Sequence, residues 1–184
     1  MKQTVLRFGL ASGAVLSVMA AVMLPLCMNG VIDFDSQELV GYSAMVLAFL
    51  LVFFGIRSHR EGAGGGVITF GRGFKVGILI TLVTCAVYVT AWEIIYWGFL
   101  PDFAETYGRH VVEKMRASGA AADVIAAKQA QMEQFAVWYK NPLFNVAITF
   151  LEIFPVGLIV TLVSAAILRR RGPVRGAAAS PASA

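Results

Sequence analysis

The sequence predicts an all-α integral membrane protein: four transmembrane helices, with a helical extracytoplasmic cap between helices three and four. Three observations predict it. Of 184 residues, 58% are hydrophobic and only 14% are charged, against about 25% charged in soluble domains. Four apolar segments, 6–27, 39–56, 74–100 and 143–168, match the ~20 residues that span a bilayer. So small a chain has too little polar surface to wrap four such helices in water. The connection 101–141 is rich in alanine and long polar side chains, which favour helix.

Helix one begins behind Lys2 and Arg7. Its apolar stretch is about twice the length of a signal-peptide core, and no small-x-small cleavage site closes it, so the helix is expected to be retained. Gly9, Gly13 and Ser17 recur at intervals of four, a spacing that lets two membrane helices approach closely. Pro25 is expected to bend or end the helix near its outer end. Cys27 and Cys85 fall in apolar segments and read as buried thiols.

The first outer connection holds Asp33, Asp35 and Glu38 without a base. It lacks the glycine and terminal glutamate of a calcium loop, so solvation and helix capping are the expected uses. Helix two leads into His59 and the run from Glu61 to Gly66. That run has no Gly-Lys-Ser/Thr ending and follows a membrane helix, so it reads as a turn and not a phosphate cradle. His59 reads as an interfacial group.

Helix three is stopped by Pro101, and Tyr96, Trp97, Trp138 and Tyr139 suit the interfacial aromatic belt. Within 101–141, residues 102–117 and 120–139 form two helices broken at Ser118-Gly119. In the second, Ile125, Lys128, Met132, Phe135 and Tyr139 recur at helical spacing. Ile125, Met132 and Phe135 are expected to face the membrane domain. Five bases and five acids give the cap no electrostatic preference. Asn141-Pro142 reads as an N-cap and first-turn proline for helix four. Residues 1–171 form one domain, and 172–184, rich in Gly, Ala, Ser and Pro, read as a disordered cytoplasmic tail.

Orientation follows from the basic residues. Ten of the 15 lie on the side of the termini and hug the helix ends, and five lie in the cap. Both termini are therefore expected in the cytoplasm of a multi-pass inner-membrane protein. The net charge of +4 is a topology signal and does not imply nucleic acid.

Glu93 and Glu152 form the candidate polar centre. Eight residues separate Glu93 from Pro101 and ten separate Pro142 from Glu152, which puts them about 12 and 15 Å into straight helices. A charge at bilayer depth costs at least ~2.5 kcal/mol, so such groups usually face protein or a wet cavity. Tyr88 and Thr90 are supporting hydroxyls. Pro155 withholds a hydrogen bond from the Leu151 carbonyl beside the acid. Cation or proton handling and a packing kink are both open uses of this arrangement.

Several stretches resemble one family. They are Val52-Phe53-Phe54-Gly55-Ile56-Arg57, Ile68-Thr69-Phe70-Gly71, Trp92-Glu93 and Pro101-Asp102-Phe103, then the runs 139–144 and 149–157. The chain resembles the bacterial domain-of-unknown-function family 4199, small multi-helix membrane proteins, over residues 5–170. The resemblance implies a complete bacterial membrane domain and no particular activity.

No Ser/His/Asp set, metal-ligand cluster or basic phosphate pocket accompanies the glutamates, so a non-enzyme without cofactor or metal is expected. Two functions remain. One is proton or cation handling, or small-solute transport, at the glutamate centre. The other is a structural or accessory subunit that binds another membrane protein through its helices or cap. Expected partners are membrane lipids, with a second copy or another membrane protein as candidates.

Overall fold

The computed structural model describes residues 1–32, 34–62 and 64–170, with 34–38 given as backbone alone. The expected tail 172–184 and the acidic side chains of Asp33, Asp35 and Glu38 lie outside the described residues. Among the described residues six helices follow in order: α1 Lys2–Met28, α2 Phe34–Gly62, α3 Phe70–Phe99, α4 Phe103–Ala117, α5 Ala122–Tyr139 and α6 Pro142–Leu168. Four of them, α1, α2 from Leu39, α3 and α6, are long and apolar enough to cross a membrane. The helices α4 and α5 make the cap between the third and fourth spans.

Local chemistry sets the ends. Thr69 caps α3 by accepting from Arg72 N at 3.3 Å, and Asn141 caps α6 by accepting from Leu143 N at 3.0 Å. Each cap occupies one of the amides that a helix start leaves without a partner. Gly119, at φ +76°, makes the turn between α4 and α5, a backbone region that glycine enters without a Cβ clash. Two further ends have local causes. α1 runs through Pro25 to Met28, and Asn29 then donates to the Pro25 carbonyl from both its backbone and its side chain. α2 outruns its apolar stretch to Gly62, where the Arg57–Glu61 pair at 2.8 Å links successive turns.

Facing residues give the register. Gly9 lies against Val83 and Gly13 against Val87, so α1 and α3 run parallel. Ser12 Oγ donates to the Ala48 carbonyl at 2.8 Å, and Gly55 meets Phe8, so α1 and α2 are antiparallel. Gly157 meets Phe49, and Arg60 reaches the Leu168 carbonyl, so α2 and α6 are parallel. Gly77 meets Thr161, and Thr81 meets Gly157 and Thr161, so α3 and α6 are antiparallel. The four spans form a ring in the order α1, α2, α6, α3.

Small residues make this closeness possible. A Cβ on Gly9 would stand 2.6 Å from Val83, and one on Gly157 would stand 2.5 Å from Thr81. Lipid gives little hydrophobic drive for helix association, so such close packing and buried hydroxyl bonds do much of the holding. Thr81 and Thr161 share a 2.9 Å bond between α3 and α6, and Thr84 Oγ1 donates to the Gly9 carbonyl of α1 at 3.3 Å. At the end away from the cap, Arg170 N donates to the Ile68 carbonyl and closes the ring. His59 is buried there, near the end of α2, and neither ring nitrogen has a partner among the described residues.

The cap is seated by aromatic packing. Trp92, Tyr96, Leu100, Ala104, Ala136 and Tyr139 form a second core, continuous with Leu24 of α1. Trp92 and Phe103 meet edge to face at 5.2 Å, as do Tyr96 and Tyr139, a geometry that suits the ring quadrupoles. Lys140 bonds Glu105 at 2.7 Å across the cap. Partial burial pushes the Glu105 carboxyl up, but Lys140 and a backbone hydrogen bond outweigh it and hold the group below its ordinary value. Of the residues expected to face the membrane domain, Phe135 does pack there. Met132 instead packs against Gly108 of α4, and Ile125 is half-buried.

Candidate functional site

Beneath the cap lies a cavity of about 340 Å³ to which all six helices contribute. That volume falls within the ~300–1,000 Å³ of small-molecule pockets. Leu16, Met19 and Met23 of α1 and Gly41, Tyr42 and Met45 of α2 line one side. Tyr88 and Trp92 of α3, with Ile148, Thr149 and Glu152 of α6, line the other. Phe103, Tyr107, Phe135 and Tyr139 reach in from the cap. Among the described lining residues seven are aromatic, three are methionine and Glu152 is the single charged one.

Helical spacing places the acid there. Asn145, Thr149 and Glu152 fall at i, i+4 and i+7 on α6, on one face. Asn145 and Thr149 are buried, whereas Glu152 is exposed. Glu152 thus ends a buried polar stripe where that stripe meets the cavity. α6 continues unbroken through Pro155, one turn further on.

Asn145 organises the wall above it. Its Oδ1 accepts from Trp92 Nε1 at 2.9 Å and from Thr149 Oγ1 at 3.3 Å. Its Nδ2 donates to the Tyr139 carbonyl at 3.3 Å. One amide therefore ties α3, α6 and the end of the cap together. Burial pushes the Tyr139 phenol above its ordinary value, opposed by hydrogen bonding to Thr149 and Trp92 and reinforced by the Glu152 charge. The phenol stays protonated and remains a neutral hydrogen-bonding group in the wall.

Glu93 belongs elsewhere. Its Oε2 accepts from Trp97 Nε1 at 2.9 Å on its own helix, and Trp97 is exposed. Its Oε1 is buried without a hydrogen-bond partner among the described residues. The residue does not line the cavity. Trp92 points inward, and the next residue on a helix turns about 100° away from it. Register separates the acids as well. The Thr81–Gly157 and Trp92–Asn145 pairings put Glu152 level with Ala86, about seven residues and 10 Å from Glu93 along the axis. The depth expected from sequence takes both helices from one plane, whereas α3 projects past the start of α6.

The remaining candidates divide likewise. Tyr88 lines the cavity. Thr90 is exposed and donates to the Ala86 carbonyl of its own helix at 2.8 Å. Gly9 and Gly13 sit against α3, and Ser17 Oγ donates to the Gly13 carbonyl at 2.7 Å. Sequence reasoning passed over Asn145, Thr149 and the cap aromatics as a site. An asparagine one turn inside an apolar helix is the signal that points to them.

A family model described as "Protein of unknown function (DUF4199)" matches residues 7–170. The chain belongs to the DUF4199 family. No curated protein and no solved structure gives a match. The matched span runs from the first turns of α1 to the end of α6. All the cavity-lining residues of this DUF4199 protein fall inside it, as does its cap. The family places the chain among multi-helix proteins, and the four long apolar helices make it a membrane-embedded module.

Proposed function

We propose that the chain is a non-enzymatic module of the bacterial inner membrane that admits a small solute or cation to the cavity beneath its cap. Glu152 is the group that reads the solute's charge. The observation that carries this reading is that, among the described lining residues, Glu152 is the lone carboxylate on otherwise uncharged walls. A carboxylate on so apolar a wall biases which charged solutes enter. Glu93, bonded to Trp97, serves helix three and not this cavity. The ten-to-five distribution of basic residues supports cytoplasmic termini and an outward cap.

The test needs no knowledge of the solute. With Cys27 and Cys85 replaced by alanine, a Gly41→Cys protein in liposomes is treated with cationic and anionic methanethiosulfonates. The cationic reagent should react about fivefold faster after correction for intrinsic reactivity, the size of effect expected from a partly screened charge. Glu152→Gln should level the two rates. An inert Gly41→Cys, or a rate ratio that Glu152→Gln leaves unchanged, counts against the reading.

A further inference from the structure

We infer that the cavity is built for a monovalent organic ammonium ion carrying an apolar body. This rests on the proposed role of the cavity as a solute site and names the class of solute. Three observations carry it. Glu152 supplies a carboxyl group, and among the described residues no lysine, arginine or histidine lines the walls to attract an anion. The aromatic side chains include Tyr88, Trp92, Tyr107 and Tyr139, the ring types whose faces attract cations most strongly. The volume of about 340 Å³ is many times the ~30 Å³ share of one water.

The alternatives fit less well. A bare calcium ion takes about six to eight oxygen ligands and magnesium a tight octahedron. Here the described residues supply one carboxylate among aromatic and aliphatic walls. A neutral hydrocarbon would suit the methionines Met19, Met23 and Met45 but would leave the carboxylate without a counter-charge, at a desolvation cost. An organic ammonium ion satisfies both features at once. Its charged head pairs with Glu152, its methyl or methylene groups lie on aromatic faces, and its body fills the remaining apolar volume.

Titration calorimetry on the full-length protein in detergent tests this with three probes of similar size. They are benzyltrimethylammonium, its neutral isostere neopentylbenzene, and phenylacetate. Gly41→Phe is the cavity-filling control, because a Cβ at Gly41 meets nothing within 4 Å and the helix should accept it. Heat common to wild type and Gly41→Phe is micelle partitioning.

The ammonium should bind wild type at least about tenfold more tightly than the isostere, in line with a desolvated cation over aromatic rings. Glu152→Gln should reduce that preference several-fold while leaving the isostere bound, the remainder being the attraction of the aromatic faces. Equal binding of ammonium and isostere, or a preference for phenylacetate, overturns the ammonium assignment and leaves the cavity as a solute site. Absence of any Gly41→Phe-sensitive binding, by all three probes, removes the solute site itself.

Discussion

Asn145 ties the cavity wall together, because three groups on three segments bond to its amide. Replacing it with leucine keeps the volume but leaves the Trp92 indole N–H and the Tyr139 carbonyl without their partner. An unsatisfied buried polar group costs about 1–3 kcal/mol. Asn145→Leu should therefore lower stability by about that much, read by reversible unfolding in mixed micelles. Trp92→Phe removes the stranded donor, so the double variant should lose less than the sum of the singles. Strict additivity in that cycle would show that the Trp92–Asn145 bond contributes nothing. The two glutamates teach the complementary lesson. Glu93 is held by Trp97 on its own helix, and only Glu152 opens on the cavity.

Among elements, the contact of α6 with α2 and α3 is set by Gly157. A Cβ there would stand 2.5 Å from Thr81 and 2.7 Å from Phe49, so even alanine must push two helices apart. Overpacking of this kind costs about 1–3 kcal/mol. Gly41 is the matched contrast, since its Cβ would meet nothing within 4 Å, and alanine in a helix is favoured by about 1 kcal/mol. Gly157→Ala should lower the thermal midpoint in detergent, and Gly41→Ala should hold or raise it. Equal shifts for the two would mean that helix propensity, and not interhelical distance, governs these positions. The cap is another matter of elements. α4 and α5 pack on each other, and aromatic residues at their ends lock them to α3.

At the scale of the whole molecule, the even number of spans brings both ends of the described chain to the side away from the cap. There Arg170 meets Ile68. Which compartment that side faces rests on the basic residues. In intact cells, an impermeant maleimide should label Gly119→Cys in the α4–α5 turn and spare Gly62→Cys at the end of α2, where a Cβ meets nothing within 4 Å. The reverse pattern would invert the topology and put the cavity's cap in the cytoplasm.

The sequence by itself determined the four spans, the two-helix cap and the caps at Asn141 and Gly119. Each of these depends on composition or on neighbours within a few residues: apolar run length, helix propensity, a capping side chain, a glycine with positive φ. It also marked Glu152 as costly to bury. Only the tertiary structure decided that Glu152 opens on a cavity and Glu93 does not. Depth along a helix can be counted from its ends, but the facing of a side chain depends on how neighbouring helices are turned and offset. Here the register between α3 and α6 is fixed by Gly77, Gly157 and the threonines packed on them. That offset moves the two carboxylates apart and leaves an aromatic-walled space around one of them, because packing geometry between distant segments is not written in either segment alone.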